Sequence, residues 1–208
     1  PLAYYGYGEM GLTPTKNKVD VSIACWEWKM GESKAGKFSG AKCKISSWIR
    51  IDSRAQPMKA KAASNYANAA LARVEALGDG YDEAIMLNSN GKIAEGSAEN
   101  IFILKDGQII TPPLTSGILE GITRDSVIQI IEENGGYVVE ADIDREDLYT
   151  ADEVFMVGTA AEVKSVAQID RVRISDGKPG KVTKALQKSF TEVTMGKDDR
   201  FLSWLTYI

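Results

Sequence analysis

The sequence predicts an α+β fold: a mixed sheet with flanking helices, preceded by a short piece of another unit. Three observations carry this expectation. Strand-like and helix-like runs interleave without a strict β-α alternation, which argues against a doubly wound parallel sheet. A composition of 44% hydrophobic and 26% charged residues over 208 positions suits one globular core, or a domain and a half. The apolar pattern also lapses between Lys29 and Lys42, where Gly and Lys replace it. A flexible connector there divides the chain into residues 1–34 and a larger domain over 35–208. The alternative is a single domain with a long surface loop.

Taken in order, Val19, Val21, Ile23 and Cys25 alternate with Asp20, Ser22, Ala24 and Trp26, a period of two that predicts a strand. Cys43 to Ile51 predicts another. Ser64 to Leu77 reads as an Ala-rich helix with Leu71, Val74 and Leu77 on one side, closed by Gly78. A strand over Glu83 to Leu87 runs into Asn88-Ser89-Asn90-Gly91, residues suited to positive φ. Short strands follow at Lys92 to Ala94, Ile101 to Leu104 and Gln108 to Thr111, the last two joined by an Asp106-Gly107 turn. Thr123 is read as the N-cap of a helix that runs through Val127, Ile128, Ile130 and Ile131 to Asn134-Gly135. Strands at Tyr137 to Ala141, Glu153 to Val157 and Val163 to Ile169, then a helix from Val182 to Val193, complete the pattern.

Composition excludes several chemistries. The chain has no histidine, so Ser-His-Asp and Cys-His catalysis and His-ligated zinc are ruled out. Cys25 and Cys43 are its two cysteines, too few for a Cys₄ metal site, and no metal is expected. A net charge of −4 without a Lys/Arg block gives no footprint for nucleic acid. No apolar run reaches membrane-spanning length and no signal peptide opens the chain, so a cytoplasmic location is expected. The chain starts at Pro1 without an initiator Met and is expected to be a piece of a longer protein.

Gly6-Tyr7-Gly8-Glu9-Met10-Gly11 matches the dinucleotide pattern G-x-G-x-x-G, but Leu12-Thr13-Pro14 follows without a helical period. A glycine-rich turn between strands accounts for it better. With histidine absent, lysine becomes the natural nucleophile. Lys61 stands out in Ala60-Lys61-Ala62-Ala63-Ser64-Asn65-Tyr66, because small buried neighbours strip water from an amine and favour the free base. A helix-start lysine with its ammonium in solvent is the competing reading. If the segment is extended, Lys59 points the opposite way and only one of the two enters a pocket.

Three further segments could complete a site. Glu95 in Glu95-Gly96-Ser97-Ala98-Glu99-Asn100 could hold a proton on a heterocyclic nitrogen, or face water as a turn glutamate. Gly121-Ile122-Thr123 at a helix start could cradle an anion, or simply cap the helix. Gly158-Thr159-Ala160 ends an apolar strand in a small-residue turn that could offer N–H groups to another anion.

In combination, KAASNY from Lys61, EGSAENIF from Glu95, GILEGITRD from Gly117 and ADEVFMVGTAAEV from Ala151 resemble the class IV pyridoxal-phosphate aminotransferases, specifically the branched-chain amino acid group. The resemblance runs from Gly6 to the last helix. It implies the fold-type-IV cofactor domain, with its mixed sheet or pseudobarrel, plus a remnant of the small domain. It implies pyridoxal 5'-phosphate as cofactor, with Lys61 as its Schiff-base partner and as proton carrier. Tyr66 is implied at the ring's phenolic oxygen with Arg50 near that edge, Glu95 at the pyridine nitrogen and Leu119 on the ring face. Gly121, Ile122 and Thr123, joined by Thr159, are implied at the phosphate, and the Thr159–Ala160 turn at the substrate carboxylate. The implied reaction moves an amino group from leucine, isoleucine or valine to 2-oxoglutarate, in a homodimer or assembly of dimers.

D-amino-acid aminotransferases and aminodeoxychorismate lyases share that fold and are the alternative activities. A non-catalytic cofactor-binding fragment is the alternative of another class. Family members carry a whole domain before the point where this chain starts, which supplies an arginine to the phosphate and part of the side-chain pocket. The fragment alone is therefore expected to transaminate poorly. After Trp28, Lys29-Met30-Gly31-Glu32-Ser33-Lys34 is polar where the family carries a Gly/aromatic stretch.

Overall fold

A computed structural model describes residues 1–27 and 40–207. The chain forms two compact units, divided between Glu32 and Ser33. The connector expected over Lys29 to Lys42, and the polar stretch after Trp28, lie almost wholly outside the described residues.

In the first unit, β1 (Leu2–Tyr5) and β2 (Val19–Ser22) pair antiparallel, from Leu2 opposite Ser22 to Tyr5 opposite Val19. All eight ribbon residues are exposed. The Gly6–Gly11 stretch forms turns after β1 and opens no helix. Asn17 organises it, donating from Nδ2 to the carbonyls of Gly6 and Glu9 and accepting from the Glu9 N–H.

The second unit is built on β3 (Ala41–Ile45), β4 (Glu83–Leu87), β5 (Ile93–Gly96), β6 (Asn100–Lys105), β7 (Gln108–Thr111), β8 (Val138–Glu140), β9 (Glu153–Gly158), β10 (Glu162–Ile169) and β11 (Val172–Arg173). Four helices accompany them: α1 (Tyr66–Gly78), α2 (Ile122–Glu133), α3 (Arg145–Thr150) and α4 (Lys181–Thr194). The strands make one mixed sheet in the order β5-β4-β3-β10-β9-β6-β7-β8, with β11 paired to β10. The β10–β3, β3–β4 and β7–β8 pairs are parallel, and the rest are antiparallel.

This order forces the sheet to curl. β5 and β6 stand first and sixth across it, yet three residues join them. Five strand spacings in a flat sheet cover about 24 Å. The four Cα steps from Gly96 to Asn100 reach about 15 Å at most. The Gly96 N–H accordingly donates to the Glu99 carbonyl at 2.7 Å, closing a tight link.

Period-two side-chain alternation sorts the sheet into two faces. On β6, Ile101 and Ile103 enter one core while Phe102 enters the other. On β9, Val154 and Met156 oppose Phe155 and Val157 in the same way. The second face is covered by α2 and α4 through Val127, Ile130, Leu186 and Val193. Phe102 and Phe155 stack at 5.1 Å where their strands are in register.

Most elements lie where the sequence places them; β11 is unforeseen, and four further differences have a visible cause. β3 stops at Ile45 because the next residues turn to α1: Ser46 Oγ and the Ser47 N–H both donate to the Glu75 carboxylate. α1 packs its alanines, Ala69, Ala72 and Ala76, against Ala84 and Met86. The stripe of Leu71, Val74 and Leu77 expected to mark its buried side is 48%, 67% and 53% exposed. The residue before the first turn of α2 is Gly121, not Thr123, which lies inside that turn. α3 has six residues, too few for an apolar period, and is set instead by a capping box between Asp144 and Asp147. No helix among the described residues is long and apolar enough to cross a membrane.

Candidate active site

A cavity of about 220 Å³ opens in the second unit where five segments meet. These are the loop after β3, the turn before α1 with the start of α1, the β5–β6 link, the approach to α2, and the end of β9. Arg50, Lys61, Tyr66, Glu95, Leu119, Gly121, Ile122, Thr123 and Thr159 all line it. Nine residues singled out along 110 positions of sequence thus come together at one place. Ala160 lies one residue beyond the lining, exposed in the β9–β10 turn.

Glu95 is the most constrained of them. It sits on β5 with 5% of its surface exposed. Arg50 Nη2 reaches its Oε1 at 2.6 Å. Its Oε2 accepts from the Leu119 N–H at 3.1 Å and from Asn100 Nδ2 at 3.3 Å. Burial pushes the carboxyl up to about 7, against the opposing pull of Arg50 and the Leu119 N–H. A carboxyl so placed can hold or release a proton near neutral pH.

The approach to α2 supplies the opposite polarity. Gly121 is extended, at φ −76° and ψ 128°, and no side chain caps the helix. The first N–H groups of α2, at Ile122, Thr123 and Arg124, therefore have no carbonyl partner within the helix. Together with the macrodipole they favour an anion at the cavity wall. Gly121 is required by close packing: a Cβ there would lie 2.0 Å from Asn100 Oδ1.

Lys61 departs from its sequence reading. It is exposed, as are Ala60, Ala63 and Ser64, so the neighbours expected to be buried are not. Instead of extending, the segment turns, with the Ala60 N–H donating to the Pro57 carbonyl at 3.0 Å. Lys59 and Lys61 consequently both line the cavity. Asn65 fastens this turn from below, donating from Nδ2 to the Pro57 and Ala60 carbonyls. Tyr66, the first residue of α1, is 38% exposed beside it.

Two buried polar atoms of the lining have no hydrogen-bond partner among the described residues: Arg50 Nε and Asn65 Oδ1. A buried donor and acceptor left open cost free energy unless a bound group meets them.

Residues 3–169 match the family of class IV amino-transferases. The chain belongs to that family. It is 46% identical to a probable branched-chain-amino-acid aminotransferase of Aquifex aeolicus, over 99% of this chain and 66% of that protein. It is 40% identical to the branched-chain-amino-acid aminotransferase of Pseudomonas aeruginosa, over 100% and 67%. A crystal structure of the branched-chain aminotransferase of Thermoproteus uzoniensis with norvaline superposes at a TM-score of 0.91. That match is 40% identical and covers 98% of this chain and 66% of the other. The branched-chain amino acid aminotransferase of Thermobaculum terrenum, in its PLP-bound holo form, superposes at a TM-score of 0.80, 44% identical, over 85% and 58%. The chain thus spans about two thirds of the length of the curated relatives it matches. Its second unit has the mixed, curled sheet and flanking helices of the fold-type-IV aminotransferases.

In this class IV chain, two of the lining residues that escape the sequence reading bear directly on Glu95. Asn100 joins Glu95 to Leu119, donating from the same Nδ2 to the Leu119 carbonyl at 3.0 Å. Its signal is a buried amide heading the otherwise apolar run Ile101-Phe102-Ile103-Leu104. Glu99 also lines the cavity, its carboxyl pushed up by burial and held by the Ala98 N–H at 3.1 Å. A turn glutamate beside two glycine-lined strand ends gives no such signal.

Proposed function

We propose that this chain carries the cofactor site of an aminotransferase that moves the amino group of leucine, isoleucine or valine to 2-oxoglutarate with pyridoxal 5'-phosphate. The observation that carries this reading is the meeting of Glu95, the uncapped start of α2 and Lys61 in one cavity. The relatives it resembles over its whole length are named for the branched-chain reaction. The residues also fit the cofactor chemically. An anionic phosphate suits the open N–H groups of α2, and a protonated ring nitrogen suits the Glu95 carboxylate. The unpartnered Arg50 Nε and Asn65 Oδ1 leave a donor and an acceptor for polar atoms of a bound molecule.

When bound, pyridoxal phosphate supplies an electrophilic carbon and a ring that accepts electron density. The chain's own residues do the rest. Lys61 Nζ would hold the cofactor's carbon and, once the substrate amine displaces it, would be the free base that takes the substrate Cα proton and returns it as acid. Glu95 keeps a proton at the ring nitrogen. The Tyr66 hydroxyl would hydrogen-bond the phenolic edge, with Arg50 near it, and Leu119 would pack on the ring face. Gly121, Ile122 and Thr123 bind the phosphate, joined by Thr159 from the β9–β10 turn. N–H groups of the Thr159–Ala160 turn receive the substrate carboxylate. The two free cysteines, Cys25 exposed and Cys43 buried, suit the cytoplasm. A homodimer or assembly of dimers belongs to the same reading.

Adding pyridoxal phosphate to the chain should give an absorbance band that borohydride fixes onto Lys61, located by peptide mass. With 2-oxoglutarate, L-leucine should then yield glutamate and D-alanine none. Glutamate from D-alanine alone would overturn the branched-chain assignment.

A further inference from the structure

We infer that Arg50 and Asn100 are the positioning residues of Glu95, fixing both the orientation of its carboxylate and its negative charge. This deepens the function proposed above and rests on the role given there to Glu95.

A carboxylate offers about four lone-pair sites, two on each oxygen. Three are filled here. Leu119 N–H and Asn100 Nδ2 take both sites on Oε2. Arg50 takes one on Oε1. The open site is therefore on Oε1, the oxygen that Arg50 holds, and a donor from a bound molecule would share that oxygen with the guanidinium. Arg50 is itself anchored: its N–H donates to the Leu87 carbonyl at 2.7 Å, and 7% of its surface is exposed. A guanidinium so buried is directed by its partner, which makes the pair stiff.

Asn100 acts by the identity of its two amide atoms. Nδ2 meets two acceptors, Glu95 Oε2 and the Leu119 carbonyl. An oxygen in that place would face two oxygens, so the network assigns the amide its orientation. Oδ1 then points to Gly121, whose lack of a side chain accommodates it. Aspartate, nearly the same shape, would instead set a second negative oxygen against Glu95.

Among the described residues, few other charged or titratable groups face Glu95. Glu99 opposes its ionisation from the β5–β6 link. Lys59, Lys61, Tyr66 and Glu120 line the same cavity. Burial raises Glu95 and Arg50 opposes it, so loss of Arg50 or a charge at Asn100 moves the titration further up.

The test is an infrared titration of the Glu95 carboxyl in the full chain without cofactor, its band assigned by difference from Glu95→Gln. The wild-type band should titrate near 7. Arg50→Gln and Asn100→Asp should each raise the midpoint by about one pH unit or more. Arg50→Lys, which keeps the charge, should fall between. Far-UV circular dichroism checks that each variant folds, and Arg50→Lys and Asn100→Asp decide the matter if Arg50→Gln does not. Unmoved midpoints in folded variants would overturn the inference. With pyridoxal phosphate added, the wild type reports separately on function: no bound-cofactor band, with the midpoints shifted as expected, sinks the proposed function and leaves the Arg50–Asn100 assignment standing.

Discussion

Gly121 and Asn100 are packed so closely that a Cβ on the glycine would lie 2.0 Å from Asn100 Oδ1. Gly121→Ala therefore displaces Asn100, and with it the Oε2 contact to Glu95 and the tie to Leu119. Overpacking of this kind costs about 1–3 kcal/mol. At this chain length that corresponds to a fall in melting temperature of roughly 2–12 °C. Pyridoxal phosphate affinity should drop about tenfold where about 1.4 kcal/mol of the strain reaches the site. A variant with unchanged melting temperature and affinity would show that Asn100 rotates away freely.

Lys61 and Lys59 both line the cavity, and chemistry separates them. Lys61→Ala should abolish the borohydride-reducible band. Lys59→Ala should keep it, with affinity changed at most severalfold. The reverse result would move the nucleophile to Lys59.

Glu95 gives the folded chain a pH dependence of known sign. Its ordinary value of 4.5 rises to about 7 on folding, chiefly through burial. Below 4.5 the carboxyl is neutral in both states and its contribution to stability is complete. As pH rises towards 7 the unfolded chain ionises first, so the folded state loses relative stability. Above 7 the loss is constant. The shift corresponds to roughly 3 kcal/mol. Urea unfolding from about pH 4 to about pH 8 should show the wild type losing about that much relative to Glu95→Gln. Parallel curves for the two proteins would contradict the buried, raised carboxyl.

The packing of α1 is inverted with respect to side-chain size. Ala72 is fully buried against β4, whereas Val74 is 67% exposed. Ala72→Leu should destabilise the second unit by about 1–3 kcal/mol through overpacking. Val74→Gln should stay within about 0.5 kcal/mol in the same denaturation assay. Equal effects would mean that the helix turns its other face to the sheet.

What the sequence discloses follows the range of the interaction that sets each feature. The Asp106-Gly107 turn is local: both residues take positive φ, 50° and 78°, as their types favour. Strands such as β6 and β9 show because both of their faces are buried, which makes each a short unbroken apolar run. α1 misleads for the same physical reason. Its Leu71, Val74 and Leu77 stripe is periodic, but close approach to β4 selects alanine, and periodicity alone does not tell which stripe packs. Thr123 misleads by two positions, because the chain reaches α2 through an extended glycine and the cap is set by packing on Asn100. The signal for α3, Asp144 three residues before Asp147, is present but short. In the site, residue types such as Glu95 and Gly121 are legible because their motifs are. Asn100 and the Arg50–Glu95 pair are not, since Arg50 stands 45 positions from its partner and is brought there by the tie of the loop after β3 to β4, which pairs with β5.

That curl has a thermodynamic consequence. Glu95 and Asn100 belong to strands first and sixth across the sheet, and their contact lies at the tight link where the curl brings the two strands together. A ligand lodged between Glu95 on β5 and the end of β9, strands first and fifth across the sheet, binds the curled form and not an opened one. At a free concentration about 100 times its dissociation constant, such a ligand adds about 2.7 kcal/mol to the closed state. The cofactor would then be a clasp as well as a reagent. Amide exchange in β5 and β6 should slow when it binds and quicken when it leaves, so that loss of cofactor is felt first as a loosening of the sheet.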